Sequence, residues 1–156
     1  MVEILELTQI NDALAEMVAL FRVELRSYKG IASKPNIEAG REEIEEYLSA
    51  KFPVYAALVN GEYAGYVVCR VDSEVVWVES IFVKEEDRRH GVATALHSKA
   101  EEIAASYGDD TVYNYVHPNN HRMIDFLRKR GYTVLNLIES RKPHNGEKLT
   151  QTIAGG

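Results

Sequence analysis

The chain has 156 residues, 46% of them apolar and 27% charged, and a formal net charge of −6. That length suits one domain, and so much apolar side chain excludes general disorder; a single domain over residues 1–156 is expected. The longest apolar run, Val54–Val59, is far short of the ~20 residues a spanning helix needs, and an acidic chain with no basic block argues against nucleic acid, so neither a membrane nor a nucleic acid is an expected partner.

Val2–Leu7 alternates as a first strand, and Glu3 and Glu6 stand where a signal segment would be apolar. One cysteine, Cys69, permits no internal disulfide and suits a reducing compartment; its apolar neighbours predict a buried thiol, and a cytoplasmic location is expected. Ile10, Leu14, Met17, Val18, Phe21 and Leu25 recur at helical spacing, with Thr8 or Asn11 as the cap. Gly30–Pro35 breaks that helix. A shorter one over Gly40–Ser49 sets Ile44, Tyr47 and Leu48 inward and Glu42, Glu43, Glu45 and Glu46 outward, either as a solvated face or as an attractor of cations.

Val54–Val59 and Tyr63–Val71 flank Asn60-Gly61, a hairpin signal, and Val75–Val83 extends the pair into an antiparallel meander. A second long helix starts near Gly91 with an apolar stripe of Val92, Ala95, Leu96, Ala100, Ile103 and Tyr107. Thr111–His117 is a fifth strand, and the segment from the fourth strand through this helix to it is long enough to be a right-handed parallel crossover. Pro118-Asn119-Asn120 opens a third major helix that Gly131 closes, and Tyr132–Ile138 and Leu149–Ile153 read as final strands. The order implies a mixed α+β sheet.

The chemically informative stretch runs from Glu79 to Thr94. A strand passes through a charged loop into a helix whose start holds Arg88-x-x-Gly91-x-Ala93. Free N–H groups and partial positive charge at a helix start make an anion site. Gly91 offers no Cβ to obstruct a phosphate, Ala93 keeps the turn thin, and Arg88 and Arg89 supply forked donors. The Walker Gly-Lys-Ser/Thr and the triple glycine of dinucleotide folds are both missing from the chain.

This stretch resembles motif A of the GNAT N-acetyltransferase superfamily, Gln/Arg-x-x-Gly-x-Gly/Ala. Asn120, Lys129 and Gly131-Tyr132 are similar to its second motif. The resemblance implies a GNAT fold: a mixed, mostly antiparallel sheet of seven strands, splayed between the fourth and fifth, with helices on both faces. It also implies acetyl-CoA as co-substrate, with no metal, and transfer of the acetyl group to a primary amine on a small molecule, a protein N-terminus or a lysine. Backbone groups of Ile81, Phe82 and Val83 would hold the pantetheine arm. Arg88, Arg89, His90, Gly91, Val92, Ala93 and Thr94 would hold the pyrophosphate, and Asn120 would touch one or the other. Glu79 is the candidate base, or else orients a substrate cation.

The position where many members carry a tyrosine acid is Leu127, which leaves Tyr115 as the substitute acid. Tyr113 has the same parity, and strand packing is the plain alternative for both. Trp77 and Phe82 either line the acceptor pocket or belong to the core. A homodimer through the C-terminal strands follows by analogy. The departure at Leu127 also raises an alternative, an acyl-CoA-binding sensor or scaffold with little catalysis.

Overall fold

A computed structural model describes residues 1–148. The chain divides into two units, Met1–Tyr115 and Val116–Gly156. In the first, β1 (Val2–Glu6), α1 (Asp12–Ser27), α2 (Ile37–Ser49), β2 (Val54–Val59), β3 (Glu62–Asp72), β4 (Val75–Val83), α3 (Val92–Ser106) and β5 (Tyr113–Asn114) follow one another. The five strands form one sheet in chain order. Pairing is antiparallel as far as β4 and parallel between β4 and β5, as a crossover through α3 requires.

Local signals account for most boundaries. Asn11 opens α1, its side chain accepting from the Leu14 N–H at 2.8 Å, so Asn11 and not Thr8 is the cap. Asn36 opens α2 in the same way, accepting from the Ala39 N–H at 3.1 Å, and moves the start of that helix ahead of Gly40. Asn60 and Gly61, both at positive φ, make the hairpin turn.

Leu14, Met17, Val18 and Ile44 from α1 and α2 pack on Val54, Tyr66, Val68 and Phe82 of the sheet, and together they form the core cluster on that face. Full burial of a side chain of this kind stabilises by roughly 1.5–3 kcal/mol. The two helices meet closely at Gly40, where an added Cβ would stand 2.3 Å from the Ala15 carbonyl oxygen. On the opposite face α3 buries Val92, Leu96, His97, Ala100 and Ala104. Periodicity had placed Tyr107 in that stripe; it is the helix C-cap and is exposed.

In the second unit α4 (His121–Lys129) is capped by Asn120, which accepts from the Met123 N–H at 3.2 Å. Gly131, at φ +94, ends it.

The described residues hold five strands, not the seven expected. Tyr132–Ile138 forms no strand: its alternating pattern finds no ladder partner among the described residues, and Val134, Leu135, Leu137 and Ile138 are exposed. The expected strand Leu149–Ile153 lies outside the described residues. The fifth strand is only Tyr113–Asn114 rather than Thr111–His117, because its pairing covers only Trp77 and Val78 of β4.

Candidate active site

The end of the β4–β5 ladder creates the site. Val68 pairs with Ser80 and Cys69 with Val78, so Glu79 is the extra residue of a β-bulge. Beyond it, Ser80–Val83 remain paired to β3 on one edge and, among the described residues, have no strand on the other. The sheet is therefore splayed at this point, as the resemblance implied.

Hydrogen-bond parity tells which backbone groups face the opening. The Lys84 N–H donates to the Ala64 carbonyl at 2.8 Å, which makes Gly65↔Val83 a non-bonded pair of the ladder. By alternation Phe82 exchanges its bonds with Tyr66, while Ile81 and Val83 turn theirs away from β3. Ile81 and Val83 thus turn their backbone groups toward the outer edge of β4, whereas those of Phe82 are taken up by Tyr66. The Phe82 ring is core, 5.6 Å from Phe21 and 6.2 Å from Tyr66.

The strand leads through a short 3-10 turn, Glu85–Asp87, into α3. Gly91 occupies the N-cap at φ +80 with no side-chain cap bond, a conformation that costs a non-glycine residue about 1–2 kcal/mol. The other three helices are each capped by an Asn side chain. The first N–H groups of α3, from Val92, Ala93 and Thr94, therefore stay free for a ligand. Arg89, at φ +68, and His90 are exposed beside them.

The Arg88 side chain is already engaged within the protein. Its Nη2 is ion-paired with Glu24 of α1, its Nε donates to the Val83 carbonyl at 2.9 Å, and its guanidinium lies over the Phe82 ring. The fork expected to meet phosphate instead fastens the loop to the end of β4. The donors left open at this turn are the first backbone N–H groups of α3 and the exposed Arg89.

Around the bulge one side chain gathers the others. Arg70 Nε donates to Glu79 Oε2 at 3.3 Å, and its Nη2 donates to Tyr115 Oη at 3.1 Å. The same guanidinium stacks 4.3 Å over Trp77, whose ring lies 5.4 Å from Tyr113. Glu79 and Tyr115, chosen separately from sequence, thus share one cation. Sequence reading missed Arg70, because Arg70 and Glu79 meet only through the β3–β4 register.

A second row was also missed. Glu43 accepts from Arg22 Nε at 2.6 Å and from Tyr47 Oη at 2.9 Å. Burial, then the Glu43 charge, with Glu79 adding to it, pushes the Tyr47 hydroxyl well above the ordinary tyrosine range. Glu43 thus leaves the acidic run on α2, while Glu42, Glu45 and Glu46 remain solvated. Tyr66 and Ser80 bond hydroxyl to hydroxyl at 2.8 Å beneath the site.

In the second unit, Asn120 uses its side-chain oxygen to cap α4. Leu127 stands where the resemblance expected tyrosine. Among the described residues no three His, Cys, Asp or Glu side chains gather to hold a metal, and no helix is long and apolar enough to cross a membrane.

Comparison with known proteins places the chain in a family and a fold. The acetyltransferase (GNAT) family model matches residues 16–132. An uncharacterized N-acetyltransferase of Methanocaldococcus jannaschii is 31% identical over 88 residues, 52% of this chain and 39% of that protein. The chain thus spans about two fifths of the length of that curated relative. A solved aminoglycoside N-acetyltransferase in complex with CoA has a TM-score of 0.66 at 22% identity, covering 91% of this chain and 95% of its own. A PaiA N-acetyltransferase from Thermoplasma acidophilum, in complex with coenzyme A, has a TM-score of 0.66 at 19% identity, covering 83% and 88%. Both likenesses establish a shared fold.

Proposed function

The chain belongs to the acetyltransferase (GNAT) family, and we propose that it is an N-acetyltransferase, a single domain that moves an acetyl group from acetyl-CoA to a primary amine by direct transfer. The observation that carries this reading is the open edge of β4 running straight into the uncapped start of α3. Ile81 and Val83 offer backbone groups to an extended amide arm as an added strand would. Ten residues on from Ile81, the turn at Gly91 leaves donors for a diphosphate.

Acetyl-CoA, when bound, supplies an acetyl group activated as a thioester. The Ile81 N–H faces the opening and can polarise a carbonyl there. An amine of pKa near ~10 is mostly charged at pH 7. Glu79, aimed by the bulge, takes its proton at Oε1 or Oε2, directly or through water. The amine nitrogen would form the new C–N bond as the C–S bond breaks; Tyr115 Oη would give its proton to the departing sulfur and recover one, through water, from the nitrogen as that sheds its second proton to become the amide. Arg70 holds both groups in place. Proximity of amine and thioester supplies much of the rate.

Glu79→Gln tests the assignment. Turnover with a panel of primary amines falls about 10²-fold while the KM for acetyl-CoA holds. Unchanged turnover removes Glu79 from the mechanism. CoA binding without transfer to any amine favours the sensor.

A further inference from the structure

A recess lies between the end of α1 and the start of α2, lined by Arg22, Arg26, Ser33, Lys34 and Asn36. Three cations converge there on a chain whose net charge is −6. Arg22 Nε is held by Glu43, and Asn36 Oδ1 is held by the Ala39 N–H. Among the described residues, the side chains of Arg26 and Lys34 make no ion pair, and the buried Ser33 Oγ has no hydrogen-bond partner. A cation near a helix C-terminus answers the helix dipole, which accounts for Arg26 alone. Lys34 and an unsatisfied buried hydroxyl need another reason.

We propose that this recess binds an acid group, a carboxylate or phosphate, carried by the acceptor amine itself. The inference rests on the acetyl-transfer reading and narrows its substrate to amines bearing an acid group. The recess is small, about 30 Å³, so the group proposed for it is a compact one. Arginine and lysine donors with one hydroxyl suit such oxygens. Two hydrogen bonds lead from the recess along α2, Arg22 to Glu43 and Tyr47 to Glu43, and the Tyr47 hydroxyl feels the Glu79 charge. An amine placed at Glu79 and an acid placed on Arg26 would straddle those bonds.

The test has two arms on the full chain. In the first, ¹⁵N-labelled protein is titrated with inorganic phosphate and with acetate, ionic strength being held constant with sodium chloride. Saturable shifts of the Ser33, Lys34 and Ala39 amides are expected, with affinity at least tenfold weaker in the Arg26→Gln/Lys34→Gln variant. Ser33→Ala, a smaller change, weakens it in the same direction. No saturable shift, or equal affinity in the variants, overturns the site.

The second arm compares kcat/KM for phosphoethanolamine against ethanolamine and for β-alanine against propylamine. At least a tenfold preference for the acid-bearing member is expected, collapsing in the double variant. Phosphate binding without that preference makes the recess a site for a free anion and overturns the acceptor assignment. Binding with no amine acetylated brings down the transfer reading, and the acceptor assignment with it, but not the anion site.

Discussion

Arg70 is held by a stack on Trp77 and by contacts to Glu79 and Tyr115. A planar fork can serve two partners in fixed directions, and a single ammonium on a flexible stem cannot. Arg70→Lys, though it keeps the charge, should lower kcat by ten- to a hundredfold, since small misplacement of reacting groups costs that much. A kcat within twofold of the parent shows that Arg70 is only a brace. The assay can read released CoA with a thiol reagent, because Cys69 is buried and burial pushes its thiol up to about 12.

That shift has a pH consequence. The folded thiol binds its proton more tightly than the unfolded one, so its contribution is complete below pH ~9 and is lost as pH rises toward about 12. Burial raises Tyr47 and Tyr66 in the same direction. Thermal melts should therefore fall progressively above pH ~9, and Cys69→Ala should blunt the first part of the fall. Melts that stay flat to pH 11 contradict it.

At the scale of elements, the start of α3 carries the clearest demand. Gly91→Ala places a Cβ in open space but at φ +80, costing about 1–2 kcal/mol of stability. It should also crowd the approach to the free N–H groups and raise the KM for acetyl-CoA several-fold with little change in saturated turnover. Saturation curves with the acceptor held high would show this, and an unchanged KM would mean that no diphosphate sits at that turn.

Much of this element was readable beforehand, because cap, glycine and charged loop act over a few adjacent residues. Cys69 was readable as core for the same reason, as was the hairpin at Asn60-Gly61. The bulge at Glu79 was not, since a register shift depends on the facing strand. The committed fork of Arg88 was not either: its partner, Glu24, is 64 positions away. Tyr132–Ile138 shows the converse, where a strand-like pattern lacks a ladder partner among the described residues and forms no strand.

For the whole molecule, the sheet divides the work. Its first four strands are bound to one another along their length, and its last pair is joined over two residues only. The fully paired part holds the bulge and the arginine hub, and under the proposed function the unpaired stretch of β4 is the template for the co-substrate. An acidic surface with local cations at Arg22, Arg26 and Lys34 adds a distinct electrostatic feature to the α1–α2 side.

All of this turns on whether the outer edge of β4 receives the pantetheine arm. Amide hydrogen exchange, resolved by residue with and without acetyl-CoA, measures it directly. Ile81 and Val83 should exchange at least tenfold more slowly with acetyl-CoA bound, while Phe82, already paired to β3, changes far less. If all three respond alike, or if Ile81 and Val83 are unaffected by saturating acetyl-CoA, the added-strand account is wrong.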